Sequence, residues 1–222
     1  MSSVSLLRKS ARVAAIASTL VSAALPLTFA APAAAAPCSD IEVIFARGTN
    51  DAPDLGRPGQ AFADALRSQV GGRTVSTYGV NYPASYDFLA AADGATDAAN
   101  RIATLASTCP STRVVLGGYS QGAAVVDMLA GIPPLGNRVG EIGSAPPLAG
   151  ELVPQVAAVV AFGNPSTKFG IPLTSSVFGS KAIDLCKDGD PICSRGRNPF
   201  AHSDYVTSGM AEQAANFVAG IV

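Results

Sequence analysis

The chain has no tryptophan, one histidine and only 14% charged residues, and its 15 lysines and arginines are outnumbered by 16 aspartates and glutamates. Each shortage removes a class of function. Without a surplus of positive charge there is no electrostatic footprint for a phosphate backbone, so nucleic acid is not expected as a partner. A single histidine and four cysteines with no CxxC pair leave no ligand spacing for zinc, so no metal and no organic cofactor are expected. Absent indole rings remove the platform on which sugar rings are often held. There is no internal repeat, charge block or Ser/Pro-rich linker, so a second module is not expected.

What is present begins with a leader. Arg8, Lys9 and Arg12 precede an apolar stretch from Val13 to about Phe29, and Ala33 to Ala36 follow, the pattern of a secretory signal peptide over residues 1–36. Ser18, Thr19, Ser22 and Pro26 interrupt the stretch and argue against a retained membrane anchor, and no other segment reads as a bilayer span. The exported part, residues 37–222, reads as one domain with 12 basic against 16 acidic residues, a net charge of −4. Cys38, Cys109, Cys186 and Cys193 all lie in it, and an even count in an oxidising compartment points to two disulfides. The expected location is extracellular or cell-wall associated.

Short β-branched runs alternate with helical patterns. IEVIFA (Ile41 to Ala46) stops abruptly at Arg47-Gly48-Thr49-Asn50 and reads as a buried strand with a loop behind it. Pro58 then opens a helix with Phe62, Leu66 and Val70 on one face, stopped by Gly71 and Gly72. Arg73 to Val80 reads as a second strand, and Asp93 to Ser107 places Ala95, Ala98, Ala99, Ile102 and Leu105 on one helical face. Arg113 to Gly118 leads into helix formers after Ser120; Val156 to Phe162 and Lys181 to Cys186 add strands; Val206, Met210, Ala214, Phe217 and Ile221 stripe a closing helix. The alternation predicts an α/β fold with a largely parallel sheet.

The chemistry starts at Gly118-Tyr119-Ser120-Gln121-Gly122, a GxSxG match lying where a predicted strand turns into a predicted helix. That turn needs glycine on both sides and holds Ser120 outward at the sheet edge. A serine hydroxyl is a poor nucleophile until a base takes its proton, and His202 is the only imidazole. Ser120 before His202 fits the order nucleophile, acid, histidine, with six carboxylates between them. Asp127, Glu141 and Glu151 read as solvated charges, and Asp184 sits in a strand pattern. Asp188 and Asp190 lie just past a strand end, and spacing does not separate them. Gln121 supplies an oxyanion donor by position, and Thr49 in the Arg47 to Asn50 turn is the candidate for the second.

Together these segments resemble the cutinase family of secreted serine esterases. FARGT (Phe45 to Thr49) is similar to its oxyanion loop, GYSQG to its nucleophile elbow, CKDGDPIC (Cys186 to Cys193) to its CxxGDxxC acid loop, and AHSDY (Ala201 to Tyr205) to its histidine segment. The resemblance implies a three-layer α/β/α sandwich of α/β-hydrolase type without a large lid. It implies Asp190 as the acid, Cys38 paired with Cys109, Cys186 paired with Cys193, and Thr49 with Gln121 as oxyanion donors. Thr49-Asn50-Asp51 depart from the Ser-Thr-Glu of many fungal members. Segments 82–91 and 170–179 are expected to border the acyl groove, through Tyr86, Phe88, Leu89, Ile171, Leu173, Val177 and Phe178.

The implied activity is hydrolysis of short to medium acyl esters through an acyl-enzyme, with a lipid, polyester or small acyl ester as substrate. The chain is expected to be a monomer that touches lipid surfaces transiently. The rivals are a polysaccharide deacetylase of acetylxylan type, which needs only a small acyl pocket, a cell-surface binding protein without turnover, and an acyltransferase.

Overall fold

The computed structural model describes residues 37–136 and 141–222; the leader expected over residues 1–36 lies outside the described residues. Five strands form one parallel sheet in the order β2-β1-β3-β4-β5: β1 Ile41–Ala46, β2 Val75–Gly79, β3 Arg113–Tyr119, β4 Val156–Phe162 and β5 Ala182–Leu185. Among the described residues four α-helices connect or close it: α1 Gly56–Gln69, α2 Ala91–Thr108, α3 Gln121–Leu129 and α4 Met210–Ala219. β1 and β4 are buried along their whole length, the reason both read as unbroken apolar runs instead of alternating ones.

The two faces of the sheet carry separate cores. Ile41, Val43 and Phe45 point to one side, where they meet Phe62 and Leu66 of α1 and Ala211, Ala214 and Val218 of α4. Ile44 and Ala46 point to the other, against Ile102 and Leu105 of α2 and nearly all of α3. This is the expected α/β/α sandwich, and period-two alternation along β1 assigns each side chain to its layer. Glu42 is the polar exception on β1, buried at 3% exposure and met by Arg101 of α2 through two hydrogen bonds of 2.6 and 2.7 Å. Among the described residues no helix is long and apolar enough to cross a membrane.

Three expectations shift. α4 begins at Met210, because Gly209 in the left-handed region (φ 76°) ends the preceding turn, so Val206 lies before the helix. Its buried face is Ala211, Ala214, Ala215 and Val218, while Met210, Phe217 and Ile221 are only partly covered. Asp127, read as a solvated charge, is fully buried: all nine residues of α3 are, since the helix is wedged between the sheet and α2. The sequence carried the signal, because QGAAVVDML is apolar on nearly every face after its first turn and a helix of that kind is buried all round.

Candidate active site

The order β2-β1-β3 reverses direction between β1 and β3, and the crevice outside the carboxyl ends of those neighbouring strands is where open α/β sheets place their ligands. The loop after β1 carries Thr49, and the turn after β3 carries Ser120. Ser120 stands alone between strand and helix with φ 56° and ψ −116°, a left-handed conformation that an L-residue holds only under constraint. The flanking glycines permit it: a Cβ on Gly118 would strike the backbone of Gly122, and one on Gly122 the carbonyl of Ala46 on β1. The Ser120 N–H donates to the Phe162 carbonyl at 2.9 Å, tying the turn to the end of β4.

His202 reaches Ser120 from the other end of the chain. Its Nε2 is 2.8 Å from Ser120 Oγ and its Nδ1 is 2.8 Å from Asp190 Oδ2. With Nδ1–H given to the carboxylate, Nε2 presents a lone pair to the serine hydroxyl. The imidazole stacks on Tyr119 with ring centroids 5.1 Å apart at 28°, and the Tyr119 hydroxyl donates to the His202 carbonyl at 2.5 Å. Behind the ring the chain passes so close at Gly163 that a Cβ there would lie 2.9 Å from His202 Cε1. Tyr119 and the Gly163 backbone therefore both confine the ring.

Asp190 is fully buried, whereas Asp188 is exposed on the same loop. Burial opposes the charge on Asp190, but hydrogen bonds from His202, Tyr205 and the Ile192 N–H outweigh it and hold the carboxyl below the usual carboxylate range. The loop is closed by a disulfide between Cys186 and Cys193, and a second disulfide joins Cys38 to Cys109. The Asp190 N–H donates to the Lys187 carbonyl at 3.0 Å and Ser194 N–H to the Asp190 carbonyl at 3.2 Å, so the acid sits inside a ring that is bonded internally as well as cross-linked.

Thr49 and Gln121 face each other across the crevice, the Thr49 hydroxyl donating to Gln121 Oε1 at 3.1 Å. Gln121 is the first residue of α3, where a backbone N–H has no intrahelical acceptor and the helix dipole favours negative charge. The Thr49 loop is fixed on both sides: Asn50 N–H donates to the Ala84 carbonyl at 2.7 Å, and Gly48 N–H to Asp51 Oδ2 at 3.3 Å.

A cleft of about 790 Å³ opens over these groups. Tyr86 and Phe88 of segment 82–91 line it, while Leu89 is exposed beside them and outside the lining. Segment 170–179 does not border it. Leu173 and Phe178 are buried in the core on the α2/α3 side, Ile171 packs against the same core, and Val177 stands on the surface at 69% exposure. The physical reason is Asp184 of β5, whose Oδ2 accepts the Leu173 N–H at 2.7 Å and draws that segment onto the sheet. The remaining large apolar lining comes instead from Leu135, Ile142 and Ile192, none of which the sequence pattern singles out. Leu135 and Ile142 lie in a Gly/Pro-rich connection with no periodicity to reveal them; Ile192, between the paired cysteines, had only its nearness to Asp190 as a signal. Glu141, read as a solvated charge, is exposed but also lines the cleft.

Beneath the cleft one buried amide joins two carboxylates: Asn164 Nδ2 donates to Asp127 Oδ1 at 2.9 Å and to Asp184 Oδ1 at 2.7 Å. Burial pushes both aspartates above the ordinary carboxylate range, Asp127 well above it. Among the described residues no group of three or more His, Cys, Asp or Glu side chains is arranged to hold a metal ion.

Comparison with known proteins gives four consistent likenesses. A family model described as Cutinase matches residues 37–222. The chain is 51% identical over 207 residues to a protein named Phospholipase Culp4 from Mycobacterium tuberculosis (strain ATCC 25618 / H37Rv), covering 92% of this chain and 88% of that one. It is 46% identical over 192 residues to Carboxylesterase Culp1 of the same strain, covering 82% of each. Among solved structures, a Trichoderma reesei cutinase in complex with a C11Y4 phosphonate inhibitor matches with a TM-score of 0.66 and 36% identity, over 83% of this chain and 77% of that one.

Proposed function

The chain belongs to the cutinase family and is an ester hydrolase, and we propose that it cleaves short to medium acyl esters through a Ser120-His202-Asp190 relay and an acyl-enzyme. The observation that carries the reading is the unbroken series Ser120 Oγ, His202 Nε2, His202 Nδ1, Asp190 Oδ2, with 2.8 Å at each contact. Ser120 Oγ attacks the ester carbonyl carbon as its proton passes to His202 Nε2. The backbone N–H groups of Thr49 and Gln121 receive the oxyanion, and Asp190 steadies the imidazolium through Nδ1–H. The C–O bond to the alcohol then breaks, and His202 returns the proton to the leaving oxygen. Water repeats the sequence on the acyl-enzyme, releasing the acid and restoring the Ser120 hydroxyl.

An acyl chain longer than acetyl is supported by the volume and lining of the cleft, with Tyr86, Phe88, Leu135, Ile142 and Ile192 offering apolar contact that an acetyl group would leave unused. Tyr86 at 75% exposure and Phe88 at 39% stand at its mouth, where contact with a lipid surface is part of the reading. Phospholipids belong with triglycerides and polyesters among the substrates to be tested. Export is supported by the sequence pattern of residues 1–36 and by the two disulfides, and the proposed enzyme acts as a monomer without a cofactor. Hydrolysis of p-nitrophenyl esters from acetyl to palmitoyl by wild type, Ser120→Ala and His202→Ala is the test. Both variants are expected to lose activity by about 10⁴-fold or more; retention of activity by either refutes the relay.

A further inference from the structure

Asp190 has a donor that the relay itself does not use. The Tyr205 hydroxyl donates to Asp190 Oδ2 at 2.5 Å, the same oxygen that faces His202 Nδ1 at 2.8 Å, while Oδ1 takes the Ile192 N–H at 2.7 Å. Tyr205 is 1% exposed, with its ring at right angles to the imidazole and packed between Tyr119 and Phe162. Its oxygen accepts the Lys187 N–H at 3.2 Å, so the phenol bridges the start of the acid loop and the acid. Burial first, and the neighbouring Asp190 second, push the phenol up, which keeps it protonated and donating. It lies three positions after His202, so one short turn carries both donors to the same carboxylate oxygen.

We propose that Tyr205 is a positioning residue that sets the basicity of His202 by sharing the carboxylate oxygen on which the imidazole rests; the inference builds on the relay proposed above. Two donors on one oxygen divide its charge between them, and each bond weakens the other's hold. The phenol thus lowers the pull of Asp190 on the Nδ1 proton and leaves the imidazole readier to stay neutral, the form that can accept the Ser120 proton. It also pins the carboxylate, since Ile192, His202 and Tyr205 together occupy both oxygens and oppose rotation about the Cβ–Cγ bond. A buried phenol present only to fill the core would affect stability and leave the imidazole untouched.

Other charged groups lie near the relay. Asp51 lies across the Thr49 loop with Arg57, Arg47 and His202 acting on it, and Lys187, whose N–H meets the phenol, pairs through its ammonium with Asp204 at 3.5 Å.

Because His202 is the only histidine, its titration can be followed by NMR without ambiguity. Tyr205→Phe keeps the ring and removes the donor. The imidazole midpoint is expected to rise by about half a unit to one pH unit, with the acidic limb of kcat/KM moving by the same amount. kcat should fall by about three- to tenfold at unchanged KM. Site-specific 3-fluorotyrosine at position 205, a stronger donor of nearly the same shape, is expected to lower the midpoint, and it decides the matter if the phenylalanine variant does not fold. A midpoint that stays in place, or moves against these signs, overturns the proposal. A midpoint that moves as expected while His202→Ala keeps its esterase activity upholds the coupling and removes the catalytic reading instead.

Discussion

The two disulfides offer a separation of stability from activity. Cys38 precedes β1 and Cys109 follows α2 just before β3, so that bridge lies at the amino ends of the strands; Ser120, Thr49 and His202 gather at the carboxyl ends, about 20 Å away along a strand of six residues. The Cys186–Cys193 bridge instead encloses Asp190. Sequence separations of 71 and 7 residues give loop-closure contributions of about 4.4 and about 2.5 kcal/mol respectively. With an m-value of about 2 kcal/mol per molar urea, Cys38→Ser/Cys109→Ser should lower the unfolding midpoint by about 2 M and Cys186→Ser/Cys193→Ser by about 1 M. Activity should fall in the reverse order. The first double variant, assayed well below its unfolding transition, should keep kcat within about twofold. The second should lose about 10²-fold or more, because the acid loop is no longer closed around a carboxylate that must meet Nδ1 within a fraction of an ångström. Activity losses that simply track the urea midpoints would refute the claim that the small ring serves geometry.

The remaining predictions concern single carboxylates and the elbow. Asp190→Asn should lower kcat by about 10³- to 10⁴-fold, and Asp188→Asn, on the exposed side of the same loop, by less than about twofold; steady-state kinetics on one ester distinguish them, and equal losses would leave the acid unassigned. Asp127 binds its proton more tightly in the folded chain than unfolded, so the stability it contributes is complete below the unfolded value near 3.9 and is lost as pH rises toward the folded one. Asp127→Asn should flatten that decline in urea midpoints taken from pH 4 upward, though not abolish it, since Asp184 is shifted in the same direction; an unchanged slope contradicts the assignment. Gly122→Ala forces a methyl into the Ala46 carbonyl and should yield an unstable protein with little activity, measured by circular dichroism and ester hydrolysis together.

The fold was legible because its strands are short, continuous and apolar, and because punctuation falls between them. β1 and β4 begin and end where their runs do, and α1 stops where Gly71 and Gly72 say it should. That Ser120 and His202 would meet was legible for a different reason: one lies in a motif whose backbone demand is specific, and the other is the only histidine. The choice between Asp188 and Asp190 was not open to spacing, since two residues on one tight loop differ only in which side faces the core, and the closure of the whole loop decides that. Segment 170–179 reads as a groove border because apolar residues in an irregular stretch after β4 give no sign of which way they face; Asp184 holds Leu173 down, and the cleft is lined by Leu135, Ile142 and Ile192 instead. Tyr205 gave no signal beyond its place in AHSDY, because its role depends on a carboxylate 15 residues earlier.

The central claim is that Ser120 is a nucleophile made reactive by His202, and covalent trapping measures it directly. A fluorophosphonate should add once per chain, and peptide mass spectrometry should find the adduct on Ser120. Labelling should be absent in Ser120→Ala and slowed by orders of magnitude in His202→Ala. A folded wild-type protein that takes no label, or carries it on another residue, contradicts the account.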